Sequence, residues 1–177
     1  MLLHASGNDW SQKATEALGL LALRQQGPGR HRQPVALIGP GDGKALECSA
    51  AERVAGHLAA AGMVILCGGR GGVMEAAARG AAQAVGLLPG DDASEANPWL
   101  TLALPTGMGE MRNALIARSA LCLVAIGGGM GTLSEMAFGL KWGKPVFTLY
   151  EEVRLPGARS VQSVDELLAR VAEAMLD

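Results

Sequence analysis

Two side chains in this 177-residue sequence stand in settings that point to chemistry: Glu135 and Arg112. Glu135 ends the run IGGGMGTLSE (126–135), whose glycines are Gly127, Gly128, Gly129 and Gly131. Arg112 stands in GMGEMRNA (107–114). A carboxylate can take up or give a proton at a reacting centre. An arginine offers a two-pronged fork to phosphate or carboxylate. A glycine-rich turn opening a helix presents unpaired N–H groups and the positive end of a dipole to an anion. Each feature also has a plainer explanation. Thr132-Leu-Ser-Glu135 has the spacing of a capping box, as do Ser49–Glu52 and Ser163–Glu166. Arg112 reads equally as a solvated residue on an ordinary helix. A cap does not require four glycines, however, and that surplus points to a ligand.

The elements that must position these residues alternate along the chain. Residues 10–25 place Trp10, Ala14, Ala17, Leu18 and Leu21 at helical spacing, and QGPGRHRQP then breaks the pattern. From there VALIG (35–39), MVILC (63–67), VGLLP (85–89), LTLAL (100–104), LCLVAI (121–126) and PVFTL (145–149) read as strands, separated by helical stretches or, before residue 100, by the polar loop GDDASEANPW. The strands are continuous apolar runs. That implies an α/β fold: a Rossmann-like, doubly wound parallel sheet of six or seven strands with helices on both faces. The expected strand order is 3-2-1-4-5-6, with ligands at the carboxyl edge where the order reverses. Residues 1–33 form a helix-and-linker extension, and 34–177 a single domain.

Four glycine-bearing loops follow strands and should meet at that edge. The candidate phosphate-binding residues are Gly39 and Gly41 in the first loop, Gly68, Gly69, Arg70 and Gly72 in the second, Gly107 after the fourth strand, and Gly128, Gly129, Gly131 and Thr132 after the fifth. GPGDGK is not a Walker loop, since Lys44 is followed by Ala45 rather than Ser or Thr. A dinucleotide fingerprint is also missing, which disfavours such a cofactor.

Composition narrows the classes further. Apolar residues make up 49% of the chain, but there are only three tryptophans, two phenylalanines and one tyrosine, so small aliphatic side chains must build the core. A formal charge of −2 offers no basic footprint for a nucleic-acid polymer. Cys48, Cys67 and Cys122 are widely spaced and form no CxxC pair, so buried thiols and a reducing cytoplasm are expected. His4, His31 and His57 lack metal-ligand spacing, and no metal site is expected. No apolar run approaches the roughly 20 residues that span a membrane, and MLLHASGNDW does not have the pattern of a secretory signal.

In order, GGRGGVMEAAARGA, NPW, TGMGEMRNALIARSA and IGGGMGTLSEMAFGLKWGKPV together resemble the LOG-like superfamily (LONELY GUY, often mislabelled lysine decarboxylase), and most closely its molybdenum-cofactor carrier branch. The resemblance covers about residues 34–150. It implies a Rossmann-like homodimer that binds a small phosphorylated ligand, the molybdenum cofactor or a nucleoside monophosphate, and requires no other cofactor. In LOG phosphoribohydrolases a PGGxGTxxE motif and an Arg-Lys pair cleave the N-glycosidic bond of a nucleoside monophosphate. By resemblance Glu135 and Arg112 take the catalytic places. Asn113, where those enzymes have lysine, joins the ligand-binding set, and Gly127 replaces their proline. Both departures look like the carrier branch. The resemblance therefore implies a binding protein first, a phosphoribohydrolase second and a nucleotide-sensing interaction domain third.

Overall fold

The computed structural model describes residues 7–29, 31–32, 34–152 and 154–177; His4, with the rest of MLLHAS, lies outside the described residues. The elements run α1 (Gly7–Gln25), β1 (Pro34–Ile38), α2 (Ala45–Ala60), β2 (Val64–Cys67), α3 (Val73–Gly80), β3 (Ala84–Leu88), β4 (Leu102–Pro105), α4 (Arg112–Ser119), β5 (Leu123–Ile126), α5 (Met130–Lys141), β6 (Val146–Leu149), β7 (Arg159–Ser160) and α6 (Val164–Leu176). A 3₁₀ turn at Gly109–Met111 leads into α4.

All seven strands are parallel neighbours in the order β4-β3-β2-β1-β5-β6-β7. This corrects the expected order in one respect. β4 does not lie between β1 and β5 but pairs with β3 at the sheet edge, Gly86 opposite Ala103. Its apolar run looked like a buried strand, yet Leu102 and Leu104 are exposed. The order therefore reverses between β1 and β5, and the crevice opens there.

Alternation along β1 shows how two helix layers cover the sheet. Val35 and Leu37 join the layer of α1, α2, α3 and α6, and Ala36 and Ile38 the layer of α4 and α5. Of the capping boxes, the one at α6 forms in its serine half: Ser163 Oγ accepts from Glu166 N at 3.1 Å, while Glu166 Oε2 accepts from Gln162 N–H at 2.9 Å rather than from Ser163. The box expected at Ser49–Glu52 does not. Helix α2 starts earlier, at Ala45, where Lys44 N–H donates to Glu47 Oε2 at 2.7 Å, so Ser49 lies inside the helix and Glu52 pairs with Arg79 at 2.9 Å.

The N-terminal helix lies against α6, with Leu21 fully buried in the larger core cluster. Leu21→Ala should therefore cost about 2–5 kcal/mol, the range for truncating a buried leucine. Urea unfolding measures it. A loss below about 1 kcal/mol would mean that α1 leaves this seat in solution.

Candidate functional site

A cleft of about 580 Å³ opens beside the reversal, a size suited to a small molecule. Four loops line it. Gly39, Pro40, Gly41 and Asp42 follow β1, and Arg70 and Gly71 follow β2. Glu110, Arg112 and Asn113 come from the entry to α4, and Gly129, Gly131, Thr132 and Glu135 from the start of α5.

Arg112 reaches this point although β4 lies at the far edge, because α4 crosses back over β3 and β1 and packs against α5. Its side chain is 6% exposed, and Nη1 stands 3.7 Å from Glu135 Oε1. Nη1 donates to Asn113 Oδ1, and Nε has no acceptor among the described residues. Asn113 Nδ2 donates to Ser134 Oγ at 2.9 Å, and that hydroxyl donates to Gly131 O at 2.7 Å. These bonds join α4 to the first turn of α5. Gly68 lies beneath the guanidinium: a Cβ there would come within 2.8 Å of Nη2.

Burial pushes the Glu135 carboxyl up to about 8; the Arg112 charge pulls it down and Glu110 adds to the rise. The 3.7 Å contact is too long for a hydrogen bond, so Coulomb attraction alone opposes desolvation and does not win. Burial thus favours the neutral acid, and among the described residues Arg112 has no other carboxylate within ion-pair distance.

The capping box expected at Thr132 and Glu135 is absent. Gly129 is the N-cap of α5 and no side chain caps it. Thr132 is buried inside the first turn, and Glu135 lies a further turn along, facing Arg112. The opening N–H groups of α5 thus lack intrahelical acceptors.

The remaining predicted residues do not line the cleft, and for three of them the backbone or its packing requires glycine. Gly72 has φ +63, and a Cβ on it would meet Gly41 O and Pro40 O at 2.5 Å. Gly69 has φ +76 and packs on Gly86 and Leu88. Gly107 is a turn glycine beside Asp91. Gly128 lines a second, smaller cavity. Asp42 and Glu110 were not among the predicted residues, although GPGDGK and GMGEMRNA contain them. Asn97 was also missed as a contributor, although NPW carried part of the resemblance. Buried, it donates from Nδ2 to Gly69 O at 3.2 Å and Arg70 O at 3.0 Å, which fixes the loop that carries Arg70. Arg70 itself pairs with Glu95 at 3.1 Å.

The model of the SLOG cluster4 family matches residues 32–174. The chain belongs to the SLOG cluster4 family. An uncharacterized protein of Archaeoglobus fulgidus is 38% identical over 136 residues, covering 75% of this chain and 89% of that one. Among solved structures, the molybdenum cofactor binding protein of Rippkaea orientalis superposes with a TM-score of 0.78 at 27% identity, over 84% of this chain and all of that one. The molybdenum cofactor carrier protein of Chlamydomonas reinhardtii does so with a TM-score of 0.76 at 29% identity, over 83% of this chain and all of that one. The SLOG cluster4 protein thus lies in the LOG-like superfamily near the carrier branch, as its motifs implied.

Gly127 gains a physical explanation in this SLOG protein. Its φ is +68, which proline cannot adopt, and a Cβ would come within 2.5 Å of Glu47 Oε1. Gly127→Ala should therefore destabilise the fold by more than about 1 kcal/mol. The loss should shrink in a Glu47→Ala background, since the two changes share one contact. Chemical unfolding of the four proteins measures both effects. An equal loss in both backgrounds would assign it to the backbone angle alone.

Proposed function

We propose that the cleft holds a phosphorylated, nucleotide-like ligand, with the molybdenum cofactor as first candidate. The observation that carries this reading is Arg112: a guanidinium 6% exposed, with Nε lacking an acceptor, beside an acid that burial keeps neutral. An anion in the cleft supplies the missing counter-charge. The uncapped N-terminus of α5 provides N–H donors on the same side. Asp42 and Glu110 add negative charge to the lining, which limits the site to a single phosphate rather than a polyanion. The two solved neighbours, named for binding or carrying the molybdenum cofactor, support the same class of ligand. Arg112, the first turn of α5 and Arg70, released from Glu95, would hold the phosphate of such a group.

Calorimetry with inorganic phosphate, AMP, GMP and molybdopterin tests this. Arg112→Gln should weaken binding by about 10- to 100-fold, the loss of one charge-assisted contact, with an unchanged melting profile as the control. Affinity should stay level up to about pH 8 once the phosphate is a dianion, then fall as Glu135 ionises and neutralises Arg112. Glu135→Gln should remove that fall. No heat with any of the ligands would end the reading.

A second reading, a phosphoribohydrolase, is favoured by one observation: Glu135 and Arg112 line the same cleft. Its test is release of ribose 5-phosphate from AMP and cytokinin monophosphates. A neutral Glu135 is poorly placed to activate water, so no release is expected. Release by the wild type that is lost in Glu135→Gln would replace the binding reading.

A further inference from the structure

Arg112 and Asn113 are neighbours in sequence at the start of α4, where successive side chains do not normally face each other. Here they meet: Arg112 Nη1 donates to Asn113 Oδ1. The same Nη1 is the nitrogen that approaches Glu135, and it stops 3.7 Å from Oε1, beyond hydrogen-bond reach. An arginine beside a carboxylate ordinarily makes a close, often two-pronged pair with it. Something in the site therefore keeps the two apart.

Asn113 is placed to do this. It is buried, and its Nδ2 donates to Ser134 Oγ at 2.9 Å, which donates onward to Gly131 O at 2.7 Å. The amide cannot be turned over. Reversal would set Nδ2 against Nη1, donor facing donor, and Oδ1 against a hydroxyl whose hydrogen is already given to Gly131. The first turn of α5 thus aims the amide oxygen at Arg112. On its other side the guanidinium is hemmed in by Gly68, where a Cβ would come within 2.8 Å of Nη2. Among the described residues Asn113 Oδ1 is the one hydrogen-bond acceptor of the guanidinium.

We infer that Asn113 is a positioning residue: it holds the Arg112 guanidinium away from Glu135 and so leaves the cleft an open positive charge in place of an internal ion pair. The charged or titratable groups that face Glu135 among the described residues are Arg112 from α4, Glu110 from the turn before it and the Cys67 thiol at the end of β2. Burial pushes that thiol up to about 11, so it brings no charge. Glu110 opposes ionisation of Glu135. Arg112 alone favours it, and Asn113 limits how close Arg112 comes. Without that restraint Nη1 would donate to Oε1, and a hydrogen bond to the charged form would favour that form.

The test is a carbon-13 NMR titration of the Glu135 side-chain carboxyl in the full chain, the signal being identified by its loss in Glu135→Gln. In wild type the midpoint should lie near 8, raised by burial. In Asn113→Leu it should fall by about 1–3 pH units, the effect of an arginine in direct contact with a carboxylate. Ser134→Ala removes the brace and leaves Arg112 and Asn113 in place. It should lower the midpoint in the same direction, and it decides the matter if Asn113→Leu does not fold. A midpoint that stays at the wild-type value in the folded variant overturns the positioning role. Calorimetry with inorganic phosphate is the second readout, and it rests on the phosphate-binding reading of the cleft. Midway between the two midpoints, Asn113→Leu should bind phosphate about 3- to 30-fold more weakly, the ratio of neutral acid in the two proteins. Glu135→Gln in the same background should restore the affinity. Weaker binding that Glu135→Gln does not restore would make Asn113 a direct ligand contact and overturn its action through Arg112. If wild type binds no phosphate, the phosphate reading falls, and the titration still decides the role of Asn113.

Discussion

The contact on which the site depends is the buried pair of Arg112 and Glu135, 3.7 Å apart. Removing two ionisable groups from water costs several kcal/mol per ion, and the fold must offset or evade that cost. It does both. Burial shifts Glu135 towards its neutral form, which evades part of the cost. Arg112 is held by Asn113 and by the close backbone of Gly68 beneath its guanidinium. The Asn113–Ser134–Gly131 bonds then make α4 and α5 one seam, so the arginine is held relative to the open end of α5. The path of α4 back over the sheet serves the same geometry, since it carries Arg112 from the edge strand to the reversal between β1 and β5.

The glycines divide into two physical kinds. Gly39, Gly68, Gly72 and Gly127 leave no room for a Cβ: each brings loop backbone against another carbonyl, a guanidinium or a carboxylate. They let the charged residues and the loops pack together. Gly128 and Gly129 have open space beside them. A run that looks uniform in sequence therefore contains a packing residue followed by two open positions. This changes the meaning of the departure from the LOG motif at residue 127. Glycine stands there because Glu47, which caps α2, occupies the space that any side chain would need. Holding a ligand and hydrolysing it are not distinguished by that position alone.

Sheet class, helix positions and the gathering of glycine loops were legible because hydrophobic period is local information. Strand order was less so. LTLAL is as apolar as the central strands, and only its non-local pairing with β3, through a connection without a helix, places it at the edge. The capping boxes show the same limit. Three stretches share the spacing, yet only Ser163 caps its helix, and there Glu166 turns to Gln162 N–H instead of closing the box. Lys44 and Gly129 begin the other two helices earlier, where tertiary packing of the preceding loops decides the start. Glu135 stood out in the sequence as a cap residue, which it is not, and by its place in the family motif; in the structure it lines the cleft. Asp42, Glu110 and Asn97 lay in stretches the sequence singled out, yet nothing in their type or spacing marked them individually. Their roles arise from loops that meet only in the folded sheet.

The charge state of Glu135 bears on whether this site holds or cleaves. Cleavage of an N-glycosidic bond by a carboxylate that activates water needs that carboxylate ionised. Here ionisation is opposed by burial and favoured only by Arg112. A phosphate bound at Arg112 would neutralise the one charge that stabilises the ionised form and would add its own negative charge nearby. Ligand binding would therefore drive Glu135 further towards the neutral acid. Occupation of the cleft and activation of a base within it pull in opposite directions. An anion held by Arg112 would give the guanidinium a counter-charge while leaving Glu135 in the neutral form that burial favours, the arrangement that the binding reading proposes.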